Sequence, residues 1–357
     1  MIEKLISHHW WLSLLDRILR RPNIANGFRY EEPKIQDWKV MLGAEDKVYN
    51  ESKNWKKYRS TGERQKRDKS SETMACVTYG THNVMEQKMN LMKAIRDEGN
   101  ADYETTELVK IFEHFGLYDE KGEANLSDTF TAKLSGTSWR GNTLSNVLSS
   151  VRNNGVVAES VWKTPEQYTW EEYYKKIPQD VIDRGKKLLE FVEITHKWVY
   201  PQNFNDIKTF CPVITTVAAG SNWNNDSIKP ATNARHNHCV DNDYFEQGKF
   251  DGIFDSYLPF EKKVTWKYGL GTGKVVDFKL LKKLESFNTE AIDKLADDGK
   301  QYVMRAEGLG QIYELKDNKL VTLDTKSKLD GFVLAMAKSG KLIGITEAKY
   351  NELTNQA

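Results

Sequence analysis

The sequence predicts an α+β fold in which a helical half is followed by a β half. Between residues 76 and 153, apolar side chains recur at three-to-four spacing, the period of amphipathic helices packed on a core. From residue 191 to residue 275, runs rich in Val, Ile and Phe are separated by Gly, Asn and Asp, which is typical of strands joined by turns. Beyond residue 278 the composition changes to Lys, Asp and Leu. We therefore expect two subdomains that meet at a cleft, with an extension at each end.

Length and composition limit the domain organisation and the partners. The 357 residues are enough for two or three compact units, which we place at 1–50, 51–275 and 276–357. The central unit divides into a helical half, 51–162, and a β half, 163–275. With 29% charged residues and no apolar run near the ~20 residues of a membrane span, we expect a soluble protein without a membrane partner. A net charge of +1 gives no overall attraction to nucleic acid.

The cysteine content and the N-terminus both predict a cytoplasmic protein. Three cysteines are an odd number and too few for the disulfide framework of a secreted domain. The first eleven residues place acidic and imidazole groups inside an apolar stretch and lack a small-residue cleavage site, so they do not form a signal peptide. Residues 5–18 carry an apolar stripe, which predicts an amphipathic helix docked on protein. Plain structural packing explains this stripe as well.

Two stretches invite ligand-binding interpretations that the pattern does not favour. Residues 53–69 are rich in Lys and Arg with interleaved Trp55 and Tyr58, as in nucleic-acid binding, but such a run is typical of a solvated surface loop. Residues 268–274 contain three glycines and a lysine, as in phosphate loops. They lack the four-residue gap and the final Ser or Thr of that motif, so we expect a glycine turn between strands.

The remaining elements follow from periodicity and turn residues. The helix that begins at Cys76 should end at Gly99, where glycine and asparagine stop the apolar repeat. In the C-terminal module we expect a hairpin that turns at Asp317 and Asn318, and we find no site chemistry there. Other predicted helices cover 105–115, the residues after Leu126, 144–153, 170–178, 180–191 and 280–295, and predicted strands begin near Phe191, Pro212, His238, Phe250, Tyr302 and Leu342. A short helix at 205–210 is implied only by the family resemblance described below.

Cys76, His238 and Asp255 have the order of a thiol-dependent catalytic triad. Cys76 lies in the first turn of its helix, where partial positive charge and unpaired N–H groups favour a thiolate. A lone cysteine on an apolar helix is more often a packing residue. Here, however, His238 on one strand and Asp255 at the end of the next could supply an acid/base and its orienting group.

Neighbouring residues suggest a metal alternative. His236 and His238 alternate on a strand, so they share a face and could bind Zn²⁺. No Cys-x-x-Cys or second His/Cys pair completes a tetrahedral set, so we expect no metal and no other cofactor. Cys239 faces away from His238 and is interpreted as a core residue, and His82 as a structural one.

These motifs resemble those of the papain-like (C1-type) cysteine peptidases. That family has a cysteine opening a long helix, then a His-x-Val strand, then an Asn-Ser-Trp box. The corresponding residues here are Met74-Ala-Cys76, His238-Cys-Val240 and Asp255-Ser-Tyr257. Residues 135–143 resemble the glycine-containing substrate-binding loop of the family. The resemblance covers residues 54–275, and the absence of disulfides is similar to the compact form found in phages and small-genome bacteria.

The resemblance implies a role for each site residue. Cys76 would be the nucleophile, its backbone N–H an oxyanion donor, and Gly141 and Asn142 would bind the substrate backbone, with Tyr257 in place of the usual tryptophan. The family's oxyanion glutamine corresponds to Ser70, so Gln65, Ser70 or Thr73 would have to replace it, or the enzyme would be slow. Asp255 stands in place of an asparagine and would hold an imidazolium more tightly.

The predicted function is peptide-bond hydrolysis through a Cys-His-Asp triad and a thioester intermediate, with a protein or peptide as substrate. By resemblance, residues 1–50 would be a pro-segment that covers the cleft, or else a handle for an assembly partner. The alternative is a catalytically weak or inactive papain-fold structural or binding protein, for instance a phage virion component in the host cytoplasm or particle. An amidase, a transglutaminase-like or a deubiquitinase-like enzyme would use the same triad.

Overall fold

The structure is a computed structural model of the chain. It describes residues 27–29, 31, 54–199, 212–225, 227–229, 236–266, 270–271, 273–282 and 284, and the backbone of four strands between residues 301 and 345. The predicted helices at 5–18 and 205–210, the stretch 285–295 and Cys211 lie outside the described residues. Within the described ranges, no helix has the length and apolar character to cross a membrane. The chain forms two compact units, Met1–Leu284 and Glu285–Ala357.

In the described part of the first unit, a group of helices surrounds one long helix. Helix α1 runs over Cys76–Asp97, so its predicted start and end are confirmed, and its apolar stripe is buried. Short polar caps fix where later helices begin, because their side chains accept hydrogen bonds from the first free N–H groups. Examples are Asp102, Ser127 and Thr143. The later helices are α2 Tyr103–His114, α3 Asp128–Leu134, α4 Leu144–Asn154, α5 Trp170–Tyr173 and α6 Gln179–Leu188.

A six-stranded antiparallel sheet follows, so the predicted α+β class is confirmed. Its order is β1-β6-β2-β3-β4-β5. One core cluster joins Val84, Met85 and Met89 of α1 to Ile214 and Phe278 of the sheet. Burial of this cluster fixes the start of α1 against the sheet. The strands are β1 Val192–Val199, β2 Val213–Val217, β3 His238–Glu246, β4 Phe250–Phe254, β5 Glu261–Thr265 and β6 Gly273–Leu280.

Strand β6 bears on the predicted domain boundary. We placed that boundary after residue 275, which falls inside β6, and the compact unit extends to Leu284. The register pairs Val192 with Leu280 and Val199 with Gly273, so all of β6 belongs to the first sheet. The predicted helix at 280–295 therefore does not begin at residue 280, which is the last residue of this strand.

The second unit contains a four-stranded sheet in the order β10-β7-β8-β9. Strands β8 and β9 pair antiparallel on either side of residues 317 and 318, as expected for the predicted hairpin. Strand β10 pairs parallel with β7. The strands are β7 Gln301–Arg305, β8 Ile312–Lys316, β9 Lys319–Thr322 and β10 Leu342–Ile345.

A cluster of acidic side chains lies between α1, α3 and the loop before α1. Glu86 and Asp128 are buried, and Glu63 and Glu159 are close enough to interact with them. Burial raises the pKa of Asp128 to about 8 and the pKa of Glu86 well above its ordinary value. Glu86 Oε1 accepts a hydrogen bond from the Leu126 N–H at 2.8 Å. These carboxyl groups therefore keep their protons in the folded protein at pH values where the unfolded chain loses them.

Replacing Glu86 with glutamine should stabilise the protein increasingly as pH rises. The folded state binds the proton more tightly, so Glu86 costs about 1.4 kcal/mol per pH unit once pH exceeds its unfolded pKa of about 4.3. Glutamine needs no proton and keeps an oxygen for the Leu126 N–H. We expect Glu86→Gln to raise the free energy of urea unfolding by about 1 kcal/mol at pH 5 and by several times as much at pH 8. Exposed Glu120→Gln is the control. An equal effect at both pH values would contradict the prediction.

Candidate active site

Cys76 is the first residue of α1 and is fully buried. The N-cap residue is Ala75, which has no side-chain acceptor, so it does not cap the first N–H groups of the helix. The chain reaches the helix through Met74, whose φ of 56° lies in the left-handed region that non-glycine residues rarely adopt. Such backbone strain is found at functional sites, where the surrounding structure must hold it.

His238 and Asp255 meet because β3 and β4 are adjacent and antiparallel. His238 opens β3 and Asp255 directly follows β4. His238 Nε2 lies 2.7 Å from Asp255 Oδ1, and both side chains are fully buried. An ionised carboxylate only accepts, so Nε2 carries the proton and donates it.

The second ring nitrogen of His238 is left for the thiol. Among the described residues, Nδ1 has no hydrogen-bond partner of ordinary geometry. Burial alone would lower the pKa of His238, but the charge of Asp255, its hydrogen bond, and the neighbouring Cys76 thiol together raise it to about 10. The structure thus brings Cys76, His238 and Asp255 together in the order that the sequence predicts.

Asp255 has three further partners that the sequence analysis missed. Trp223 Nε1 donates to Oδ2 at 2.6 Å, and the Ser256 N–H donates to Oδ1 at 2.6 Å. The ammonium of Lys262 lies 2.9 Å from Oδ2. Burial would raise the pKa of Asp255, but the charges of His238 and Lys262 hold it below its ordinary value. Trp223 lies in a turn outside the strands, and Lys262 lies in β5, which pairs with β4.

Of the candidates for the second oxyanion donor, Gln65 lies beside the triad. Gln65 Oε1 accepts from Ser256 Oγ at 3.1 Å, and Gln65 Nε2 donates to Tyr257 Oη at 3.0 Å. Ser70 Oγ instead accepts a hydrogen bond from the Tyr168 N–H at 3.1 Å. The approach loop is therefore folded so that a glutamine eleven positions before Cys76 reaches the Asp255 loop.

Glu72 is a further residue of this network that the sequence analysis missed. Its Oε1 accepts from Gln65 Nε2 at 2.6 Å and from the Thr73 N–H at 3.0 Å. Its Oε2 accepts from Tyr257 Oη at 2.7 Å. Tyr257 also stacks at an angle on His238, with ring centroids 5.4 Å apart. Glu72 therefore ties Gln65 and Tyr257 to the loop that leads into the Cys76 helix.

Residues 27–29 occupy the space between the thiol and the predicted substrate loop. Arg29 N–H donates to Asn142 O at 2.7 Å, and Asn142 N–H donates to Gly27 O at 2.9 Å. A side chain at position 27 would begin 2.8 Å from Cys76 Sγ, so the backbone there touches the thiol. Gly141 has a φ of +77°, and a Cβ at this position would collide with Gly27 O at 2.0 Å. Two glycines thus allow this close pairing.

The other predicted residues have partners within the fold. His236 Nδ1 lies 2.9 Å from Thr216 Oγ1, Cys239 is buried, and His82 Nε2 lies 2.9 Å from Thr131 Oγ1. Within the described part of the chain, no group of three His, Cys, Asp or Glu side chains could hold a metal ion. In the basic run, side chains pair with acids of the same chain: Lys56 with Glu261, Arg59 with Asp243 and Glu261, Arg64 with Asp68, and Arg67 with Glu63.

The comparison with known proteins finds cysteine proteases among the solved structures to which the chain is similar. No protein-family profile matches the sequence, and no curated protein matches it. Xylellain, a cysteine protease from Xylella fastidiosa, is 11% identical over 74% of this chain and 98% of its own, with a TM-score of 0.44. The Carica candamarcensis cysteine protease CMS1MS2, in complex with E-64, is 13% identical over 62% and 96%, with a TM-score of 0.38. A chain from a structural study of the mite allergens Blo t 1 and Der p 1 is 11% identical over 69% and 74%, with a TM-score of 0.40.

Proposed function

We propose that this protein is a cysteine-type peptidase whose catalytic residues are Cys76, His238 and Asp255. The supporting observation is the position of His238, fully buried between the carboxylate of Asp255 and the thiol at the start of α1. The ring nitrogens of His82 face a carboxylate and a hydroxyl, whereas the imidazole of His238 has a carboxylate on one side and a thiol on the other. That arrangement suits proton transfer between sulfur and substrate.

The proposed reaction has two stages. His238 takes the proton of Cys76, and the thiolate attacks the substrate carbonyl carbon, forming a C–S bond and an oxyanion. The Cys76 N–H and the Gln65 amide stabilise that oxyanion. The imidazolium then protonates the leaving amine as the C–N bond breaks. In the second stage His238 deprotonates water, which attacks the thioester, and the acid product leaves as the thiol regains its proton.

The N-terminal segment would regulate this site. Gly27 and Arg29 pair with Asn142 as an added strand, the contact that Gly141 and Asn142 would make to a substrate backbone. Cys76 is fully buried in this arrangement. We propose that residues 27–29 act as an internal competitor that must move before a substrate binds. An assembly role for residues 1–50 is the alternative.

Alkylation of Cys76 tests this competition. Gly27→Val places methyl groups where the glycine already contacts Cys76 Sγ, so it should push the segment out. If about 1.4 kcal/mol of pairing is lost, the thiol is exposed and alkylated about tenfold faster. Gly220→Val is the matched control, because a Cβ at Gly220 meets nothing within 4 Å. An unchanged or slower rate in Gly27→Val would refute the competition.

Peptidase activity itself is tested by labelling with an epoxide that alkylates activated thiols, followed by mass mapping. We expect the label on Cys76 in the wild type and no label in Cys76→Ala, with buried Cys239 as an internal control. Hydrolysis of a mixed fluorogenic peptide library should disappear in the same variant. A competing function, a catalytically weak binding protein, is favoured by the burial of Cys76. It would be supported by labelling no faster than that of a free thiol.

A further inference from the structure

Lys262 is a buried lysine whose ammonium has a full set of partners. It lies in β5 and is only 3% exposed. Its Nζ is 2.9 Å from Asp255 Oδ2 and donates to the carbonyl oxygens of Tyr257 and Pro259, each at 2.6 Å. An ammonium has three donors, so all three are used here. Lysine is almost never fully buried unless it is paired, so its partner is informative.

The two carboxylate oxygens of Asp255 have different partners. Oδ1 accepts from His238 Nε2 and from the Ser256 N–H, and so orients the imidazole. Oδ2 accepts from Trp223 Nε1 and faces the Lys262 ammonium. One carboxylate therefore connects the imidazole to a second, fixed positive charge.

The charges of this buried group balance only when Lys262 is counted. In the reactive state Cys76 and Asp255 would be negative and His238 positive, which leaves one negative charge without water to solvate it. An uncompensated buried charge is strongly unfavourable, whereas a paired one is tolerated. Lys262 supplies the missing positive charge next to Asp255 rather than next to the thiol.

We propose that Lys262 is a positioning residue of the triad: it offsets part of the charge of Asp255, so that the Asp255–Lys262 pair attracts the imidazolium of His238 less strongly than an unpaired carboxylate would. This inference rests on the proposed peptidase function. An unbalanced carboxylate would hold the imidazolium too tightly, and the imidazolium would then give its proton less readily to a leaving amine. The pair keeps the orienting hydrogen bond and weakens that attraction.

Other groups facing His238 leave this role to Lys262. Cys76 approaches from α1, Tyr257 and Trp223 present aromatic rings with centroids 5.4 and 6.1 Å from the imidazole, and Glu72 contacts Tyr257. None of these brings a positive charge to Asp255. Removing Lys262 should therefore raise the pKa of His238, and removing only the charge of Asp255 should lower it.

The experiment measures the rate of Cys76 alkylation by iodoacetamide from pH 5 to pH 11, with mass mapping on the full chain. The upper inflection of this profile reports the loss of the His238 proton. We expect Asp255→Asn to move the inflection down by about 1–3 pH units. The Lys262 ammonium then lies near the imidazolium with no carboxylate to offset it, and the two positive charges repel. Lys262→Met should move it up. The double variant D255N/K262M should have an inflection between those of the two single variants and a rate within about tenfold of the wild type.

The outcomes separate this proposal from the proposed function. Alkylation no faster than a free thiol, with no inflection, in both the wild type and Gly27→Val would mean that the triad is not activated and that both ideas fail. An activated wild type whose inflection is unmoved in K262M, or a double variant as impaired as the worse single variant, would overturn the role of Lys262 alone. In that case Lys262 only holds the carbonyls of the 257–259 turn, and K262M lowers thermal stability without moving the inflection. Lys274→Met, which removes another buried lysine of the same sheet, is the control.

Discussion

His238→Ala is expected to reduce peptide hydrolysis by about 10²–10⁴-fold, the usual contribution of a positioned general acid–base. The variant loses both the proton acceptor for Cys76 and the donor for the leaving amine. Because Asp255 keeps the Lys262 ammonium at 2.9 Å and the Trp223 N–H at 2.6 Å, its charge stays compensated and the fold should survive. The measurement is the turnover of a mixed fluorogenic peptide library together with the rate of epoxide labelling at Cys76.

His82→Ala is the matched control for that result. His82 is buried on the same helix as Cys76, six positions further on, and its Nε2 contacts Thr131 rather than the triad. It should lower stability and leave labelling of Cys76 unchanged in the folded fraction. If His238→Ala kept wild-type turnover, or if His82→Ala lost as much, the role of His238 as acid–base would be wrong.

The pH dependence of the wild type should follow the protonation of His238. Its pKa is raised to about 10 in the folded protein from an ordinary value near 6.5, mainly because Asp255 outweighs the burial that would lower it. A raised histidine pKa stabilises the folded state below pH 6.5, and this contribution is lost as pH rises through about 10. We therefore expect activity to persist above pH 8 and to fall towards pH 10, measured as kcat/KM on the peptide library.

Local sequence patterns were sufficient to predict that Cys76, His238 and Asp255 lie together. The apolar repeat after Cys76 is long, so tertiary packing had no reason to override it, and the helix begins where the repeat begins. His238 and Asp255 lie on consecutive strands joined by a short turn, which makes antiparallel pairing the expected outcome. Both inferences depend on contacts that are close in sequence or follow from one regular element.

The surroundings of the triad could not be predicted in the same way. Gln65 reaches Tyr257 across 192 positions in sequence, and Trp223 reaches Asp255 across 32. These contacts arise from irregular loops, whose paths no periodicity determines. The sequence analysis did not single out Lys262, because the reason for its burial is the buried carboxylate of Asp255 beside it. The predicted end of the domain, residue 275, lies inside β6 because the strand pattern and the change in composition overlap within a few residues.

Gln65→Ala is expected to reduce hydrolysis by about 10²–10³-fold, the typical cost of losing one oxyanion donor. The amide nitrogen Nε2 of Gln65 donates to Glu72 Oε1 at 2.6 Å and to Tyr257 Oη at 3.0 Å. An oxyanion carries a full developing charge, so it can compete with Glu72 for one of these hydrogens in the transition state but not in the resting enzyme. The effect should therefore appear in kcat more than in KM.

Iodoacetamide separates this role from general damage to the site. Its displacement occurs at a tetrahedral carbon and forms no oxyanion, so Gln65→Ala should alkylate at Cys76 within about threefold of the wild type while hydrolysis collapses. Gln87→Ala is the matched control. It removes another buried glutamine amide, which donates a hydrogen bond to Asp241 and not to Glu72 or Tyr257. Parallel loss of both reactions would show that Gln65 only supports the loop through Ser256 and Glu72. If neither hydrolysis nor alkylation were slowed, the second oxyanion donor would be Ser70 or Thr73, or the Cys76 N–H would act alone.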